Sequence, residues 1–255
     1  MGLDIYAGTL TRYYTNNWKT VAQQFAEANG LKFETIRAQQ ENAEDDEELS
    51  LQETQEIVIE WREAIVQGLK LNPMPLWNED YDITPYYTDK PDWDALSALL
   101  LYIASKYRHK EVPTTIIKNI DIYKHPIVSE FLETKDFQLS LFDGNGWWLP
   151  INKNIMFNYV LPNSEESVLA TSSLLLEELK VYNSFEWNAD KNTIISWSKT
   201  EGYPADTIYS KETGLEAASK HPVYNTESLA KFAFSILWQA AEFSLEHGVV
   251  IVFDF

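Results

Sequence analysis

The sequence contains no cysteine. Disulfides, thiolate nucleophiles and Cys-ligated zinc are therefore excluded. Histidine is scarce as well. His109, His125, His221 and His247 are scattered, and none forms the i, i+4 pair of a helical metal site. Cations are few: 20 Lys and Arg stand against 39 Asp and Glu, leaving a net charge of −19. Such a field repels phosphate backbones and anionic membrane surfaces, so direct nucleic-acid and membrane binding are disfavoured. No apolar run approaches the roughly 20 residues of a membrane span, since the longest, Ala98–Ala104, ends far short. The opening residues lack the basic and apolar regions of a signal peptide, and Tyr6 stands where a myristoylation signal wants Ser or Thr. A cytoplasmic location is the expectation.

Phosphate-binding glycine patterns are missing too. Gly144-Asn145-Gly146 runs into Trp147-Trp148-Leu149 and does not continue into a dinucleotide motif. The nucleophile elbow of serine hydrolases is absent. No cofactor is expected. Asp80 and Asp82 offer oxygen to a hard cation, but Pro85 occupies the position where a glycine turn is wanted, so they are weak metal candidates.

Acid and aromatic residues are plentiful instead. Six carboxylates and no base fall between Glu41 and Glu48, and without them the chain still carries −13. Like charges repel and stay solvated, so residues 39–49 read as an exposed loop. Its acids, Glu41, Glu44, Asp45, Asp46, Glu47 and Glu48, are candidates for binding a cationic partner. Nine Trp and fourteen Tyr supply rings for a core, a cleft or an interface.

Periodicity gives the elements. Leu3, Ile5 and Ala7 alternate with Asp4 and Tyr6 as a strand does. Residues 9–17 read as a strand-to-helix connection, with Asn16 or Asn17 as cap and Trp18, Val21, Ala22, Phe25 and Ala28 on one helical face. Ser50 and Glu53 have capping-box spacing, ahead of a helix that aligns Ile57, Trp61, Ala64 and Ile65. Four prolines make 72–91 a long irregular loop. A helix follows from Pro91-Asp92 and ends in a basic cluster, Lys106–Lys110. Strands are expected at Thr114–Ile117, Gln138–Phe142, Ile155–Leu161 and Asn192–Ser198, with helices after Pro126 and from Asn163 or Ser164 to Lys180. Asn225 caps a helix apolar on most sides, Gly248 ends it, and Val249–Phe253 reads as a central strand beside the first.

These elements predict one α+β domain spanning 1–255. A mixed sheet of five or six strands carries helices on both faces, with the first and last strands in the sheet; an α/β three-layer arrangement is the alternative. Asp4 and Asp254 then lie on neighbouring strands, where either could pair with Arg12. A cleft beside them would be lined by Tyr13, Tyr14, Tyr86, Tyr87, Trp147 and Trp148. Two functions fit. One is an acidic, non-enzymatic binding module of inhibitor or immunity type that captures a basic protein. The other is a hydrolase-like enzyme with a carboxylate and aromatic cleft for a neutral or cationic substrate. The aromatic loops also suit a homodimer face.

Overall fold

The computed structural model describes residues 2–32, 49–204 and 222–255. Strand β1 (Asp4–Gly8) passes directly into a helical turn, α1 (Leu10–Tyr14), followed by α2 (Val21–Ala28) and α3 (Leu51–Gly68). A short strand, β2 (Tyr87–Asp89), precedes α4 (Trp93–Tyr107), β3 (Thr115–Ile117), α5 (Pro126–Thr134) and α6 (Ser140–Asp143). Three strands follow: β4 (Trp147–Leu149), β5 (Met156–Val160) and β6 (Glu166–Thr171). Then come α7 (Ser172–Ser184), α8 (Lys191–Thr200), β7 (Val223–Asn225), α9 (Thr226–His247) and β8 (Val250–Asp254).

Six strands form a mixed sheet in the order β2-β1-β8-β4-β6-β5, and β3 and β7 form a small second sheet. Within the large sheet only β4 and β6 run parallel. The architecture is therefore α+β, and the α/β three-layer alternative, which needs a mainly parallel sheet, does not hold. As expected, β8 is central and pairs with β1, in register from Asp4 opposite Asp254 to Gly8 opposite Val250.

Strand alternation sorts the core into two layers. Leu3, Ile5, Ala7, Trp148, Ala170 and Ile251 face a large cluster built on α4, α7 and α9. Tyr6, Trp147, Leu149, Leu169, Val250 and Val252 face a smaller cluster closed by Val58, Trp61 and Ile65 of α3. Helices thus cover both faces. Helix α9 is the hub: Leu229, Phe234, Ile236 and Leu237 are fully buried on different sides of it. Each such side chain contributes about 1.5–3 kcal/mol by leaving water. Asn225 accepts from the Ser228 N–H at 2.8 Å to start α9, and Gly248, at φ 65°, ends it in the left-handed conformation.

Several local expectations fail for identifiable reasons. Residues 9–17 contain α1, because the Thr9 side chain accepts from the Arg12 N–H and nucleates a turn. The cap of α2 is Thr20, in a capping box with Gln23, rather than Asn16 or Asn17, and Phe25 is 63% exposed. On α3 the buried stripe runs through Thr54, Val58, Trp61 and Ile65, leaving Ile57 partly outside. Within 72–91, Tyr87–Asp89 joins the sheet as its edge. Residues 138–142 are not a strand: the Glu178 carboxylate accepts from both Ser140 N and Oγ and fixes the start of α6. Residues 166–171 form β6 rather than helix, because Ser167, Leu169 and Thr171 bury an alternating row between β4 and β5. Thr171 then caps α7. Residues 192–198 are helical, since Asp190 caps α8 through the Thr193 N–H and Ile194 and Trp197 bury one helical face. No helix among the described residues is long and apolar enough to cross a membrane.

Candidate functional site

The end of β1 and helix α1 bring together most of the expected cleft residues, but as a packed nest. Tyr6 sits 5.5 Å from Tyr13, 4.8 Å from Trp18 and 6.0 Å from Tyr86, ring centre to ring centre. Tyr13 and Tyr14 both contact Trp147. Tyr6 is fully buried, and its hydroxyl donates to the Thr9 carbonyl. These rings fill their own space. Tyr87 and Trp148 are not part of the nest. Trp148 follows Trp147 along β4 and Tyr87 opens β2 directly after Tyr86, so each points away from its nest neighbour. Tyr87 packs on Phe243, and Trp148 on Phe253.

Arg12 does not pair with Asp4 or Asp254. Helix α1 turns it toward the 80–86 loop, where it donates to the carbonyls of Thr84, at 2.9 Å, and Tyr81. Its guanidinium lies 5.0 Å from the Tyr86 ring centre. The loop answers with Glu79, whose carboxylate accepts from Thr11 N and Oγ1 and from Trp77 Nε1. Arg12 and Glu79 therefore latch α1 to this loop from opposite sides. The Asp80 carboxylate accepts from the Asp82 N–H within the same loop, closing a turn. Among the described residues no three acids or histidines are grouped to hold a metal.

Asp254 accepts from the Tyr13 hydroxyl at 2.9 Å and lies directly opposite Asp4. Burial raises the Asp4 pKa; Lys90 opposes the rise, while Asp254, Asp92 and Asp89 add to it. Like charges opposed across an antiparallel pair are destabilising. This end of the sheet is anionic: Asp254, Asp92 and Asp89 all act on Asp4, with Lys90 opposing them.

One of several open features lies beside this anionic end. A cleft of about 360 Å³ runs between the start of α4, the turn before β4, the start of β6 and the end of β8. Trp93, Tyr123 and Phe255 line it and are 41%, 52% and 68% exposed. Trp147, Trp148 and Phe253 line its deeper parts, and Glu165 and Glu166 stand in its wall. No Lys, Arg or His is among the described residues that line it. Gly146, at φ 79°, permits the turn and brings its backbone against Phe253. A larger cavity, about 460 Å³ between α1 and the start of α3, has an uncharged lining that includes Tyr14, Asn16, Thr54 and Ile57. Of the expected cleft residues, Trp147 and Trp148 line this cleft, whereas Trp93, Tyr123, Glu165, Glu166 and Phe255 were not among those expected. An exposed ring gives no periodic signal.

Two buried glutamates were also missed. Burial pushes Glu79 up to about 7, against the hydrogen bonds from Thr11 and Trp77. It pushes Glu178 up to about 7 as well, against those from Ser140. Both are sealed from solvent, at 4% and 6% exposure. The acids Glu41, Glu44, Asp45, Asp46, Glu47 and Glu48 lie outside the described residues. Comparison with known proteins identifies no relative: no protein-family model, no curated protein and no solved structure matches this chain.

Proposed function

We propose that this protein is an acidic binding module that captures a basic protein partner, in the manner of an inhibitor or immunity protein. The observation that carries this reading is the anionic end of the sheet. Asp4 and Asp254 sit side by side there with Asp89 and Asp92 acting on Asp4, next to an open cleft walled by Glu165 and Glu166. Holding like charges together lowers stability. Lys90 offsets part of that repulsion, and a cation arriving from outside would relieve more of it at the same place. The overall charge of −19 draws such a partner in and speeds its arrival. Screening sets the test, because the field reaches only about 10 Å at 0.1 M salt. A purified protein with pI above about 9 should bind at 50 mM salt and be released by 500 mM. Failure of basic proteins to bind at either salt overturns the reading.

A second reading, a hydrolase acting on a neutral or cationic substrate, draws on the same pair. Asp4, with its raised pKa, stands opposite Asp254 as a proton donor stands near a base. Turnover of glycoside or ester substrates that is abolished by Asp254→Asn is the result that would favour it.

A further inference from the structure

We propose that the strand-end cleft is the docking site for an arginine side chain of the basic partner. This rests on the binding function proposed above and names the group recognised.

The cleft makes two demands that pull in different directions. Trp93 and Phe255 meet edge to face at 5.5 Å, both substantially exposed, and Tyr123 stands on the same cleft. Three large rings in water at one place call for an apolar cover. Glu165 and Glu166 line the same cleft. Among the described residues, the Glu165 carboxylate accepts only from Asn163 Nδ2, at 2.9 Å, and the Glu166 carboxylate has no partner. A neutral apolar occupant would cover the rings but strip water from unpaired carboxylates, which is costly. An anionic occupant would be repelled. A second copy of this chain brings the same net charge of −19 and the same acids.

Arginine meets both demands. Its flat faces are weakly hydrated and stack on aromatic rings, while its edge presents a fork of donors that matches a carboxylate. Lysine carries a compact, strongly hydrated charge and would have to shed more water to enter. The neighbouring Asp4 and Asp254 extend the negative field along the approach. Trp147 and Trp148, 9% and 1% exposed, are held firmly in the core and give the cleft a rigid base.

The test is calorimetric titration of the full chain at 50 mM salt with blocked Gly-Arg-Gly-Arg-Gly, its lysine counterpart and its citrulline counterpart. Citrulline keeps arginine's shape without the charge. The arginine peptide should bind about tenfold more tightly than the lysine peptide, and the citrulline peptide about 100-fold more weakly than arginine. Glu166→Gln and Phe255→Ala should each weaken the arginine peptide and an intact basic protein about five- to tenfold, at an unchanged unfolding midpoint. Both side chains are exposed, so neither change removes core packing. Glu133→Gln, an exposed acid outside the cleft, should leave binding as it was. If the basic protein binds but arginine is not preferred and neither cleft substitution matters, the arginine site is overturned while capture of a basic partner stands. If neither the peptides nor the basic protein bind, both fall.

Discussion

Replacing Glu178 with glutamine should stabilise this protein at neutral pH, although it removes a hydrogen-bonded side chain from the interior. Glu178 lies on α7, 6% exposed, and ties down the start of α6 through Ser140 N at 2.8 Å and Ser140 Oγ at 2.7 Å. Burial lifts its carboxyl from 4.5 to about 7. A raised carboxyl pKa means that the folded state holds the proton more tightly than the unfolded chain does. Its contribution is therefore fully present below pH 4.5 and is lost as pH rises to about 7. At roughly 1.4 kcal/mol per pH unit, the full loss is about 3 kcal/mol, of which about 2 kcal/mol falls above pH 5.5. Glutamine keeps an acceptor for Ser140 N and offers Ser140 Oγ a donor, but never carries the charge. Urea unfolding of both proteins, followed by tryptophan fluorescence from pH 5.5 to 8.5, measures the difference. The stability of Glu178→Gln relative to the parent should climb by about 2 kcal/mol across that range and be positive at its upper end. A difference independent of pH, or one that favours the parent at pH 8.5, would refute the claim that a desolvated carboxylate strains this site.

Other perturbations test other parts of the account. Arg12→Met should cost about 2–4 kcal/mol in urea unfolding by orphaning the Thr84 and Tyr81 carbonyls, whereas Asp4→Asn should add a few tenths to about 1 kcal/mol by relieving repulsion with Asp254. Equal losses from the two would mean that they form a pair after all. Gly146→Ala should lower stability by about 2 kcal/mol or more, because φ is 79° and a Cβ there would meet the Phe253 Cβ at 2.8 Å; an unchanged thermal midpoint would contradict this. Ser50→Ala should cost about 1 kcal/mol by undoing the capping box of α3, read as a shift in urea midpoint at constant slope.

The sequence was most legible where several local signals agreed. Asn225, the apolar surface of α9, Gly248 and the apolar run after it all pointed to one helix and one central strand, and the sheet bears that out. Ser50 and Glu53 were equally plain. Short segments misled, because periodicity over five or six residues is weak and tertiary contacts decide them. Ile194 and Ile195 suit a strand by propensity, yet Asp190 supplies a helix cap and Trp197 a partner one turn on. Glu165 and Glu166 suit a helix start, yet residues 166–171 fill the gap between β4 and β5. The candidate site was legible in part. The placement of Asp4 beside Asp254 followed from pairing the end strands, and Tyr13, Tyr14, Tyr86 and Trp147 do assemble. Tyr86-Tyr87 and Trp147-Trp148 read as pairs in the sequence, yet the second ring of each packs elsewhere, on Phe243 and Phe253. Glu79 sits in a proline-rich loop with no period to mark it as buried, and only the folded chain brings Thr11 over it.

Hydrogen exchange in the presence and absence of a bound basic protein tests most directly whether this end of the sheet is what the molecule offers to a partner. Protection should concentrate at the start of α4 around Trp93–Leu96, at Glu165–Ser167 and at Asp254–Phe255, and should fade as salt releases the partner. Protection that leaves those three segments untouched while other surfaces slow would contradict the account.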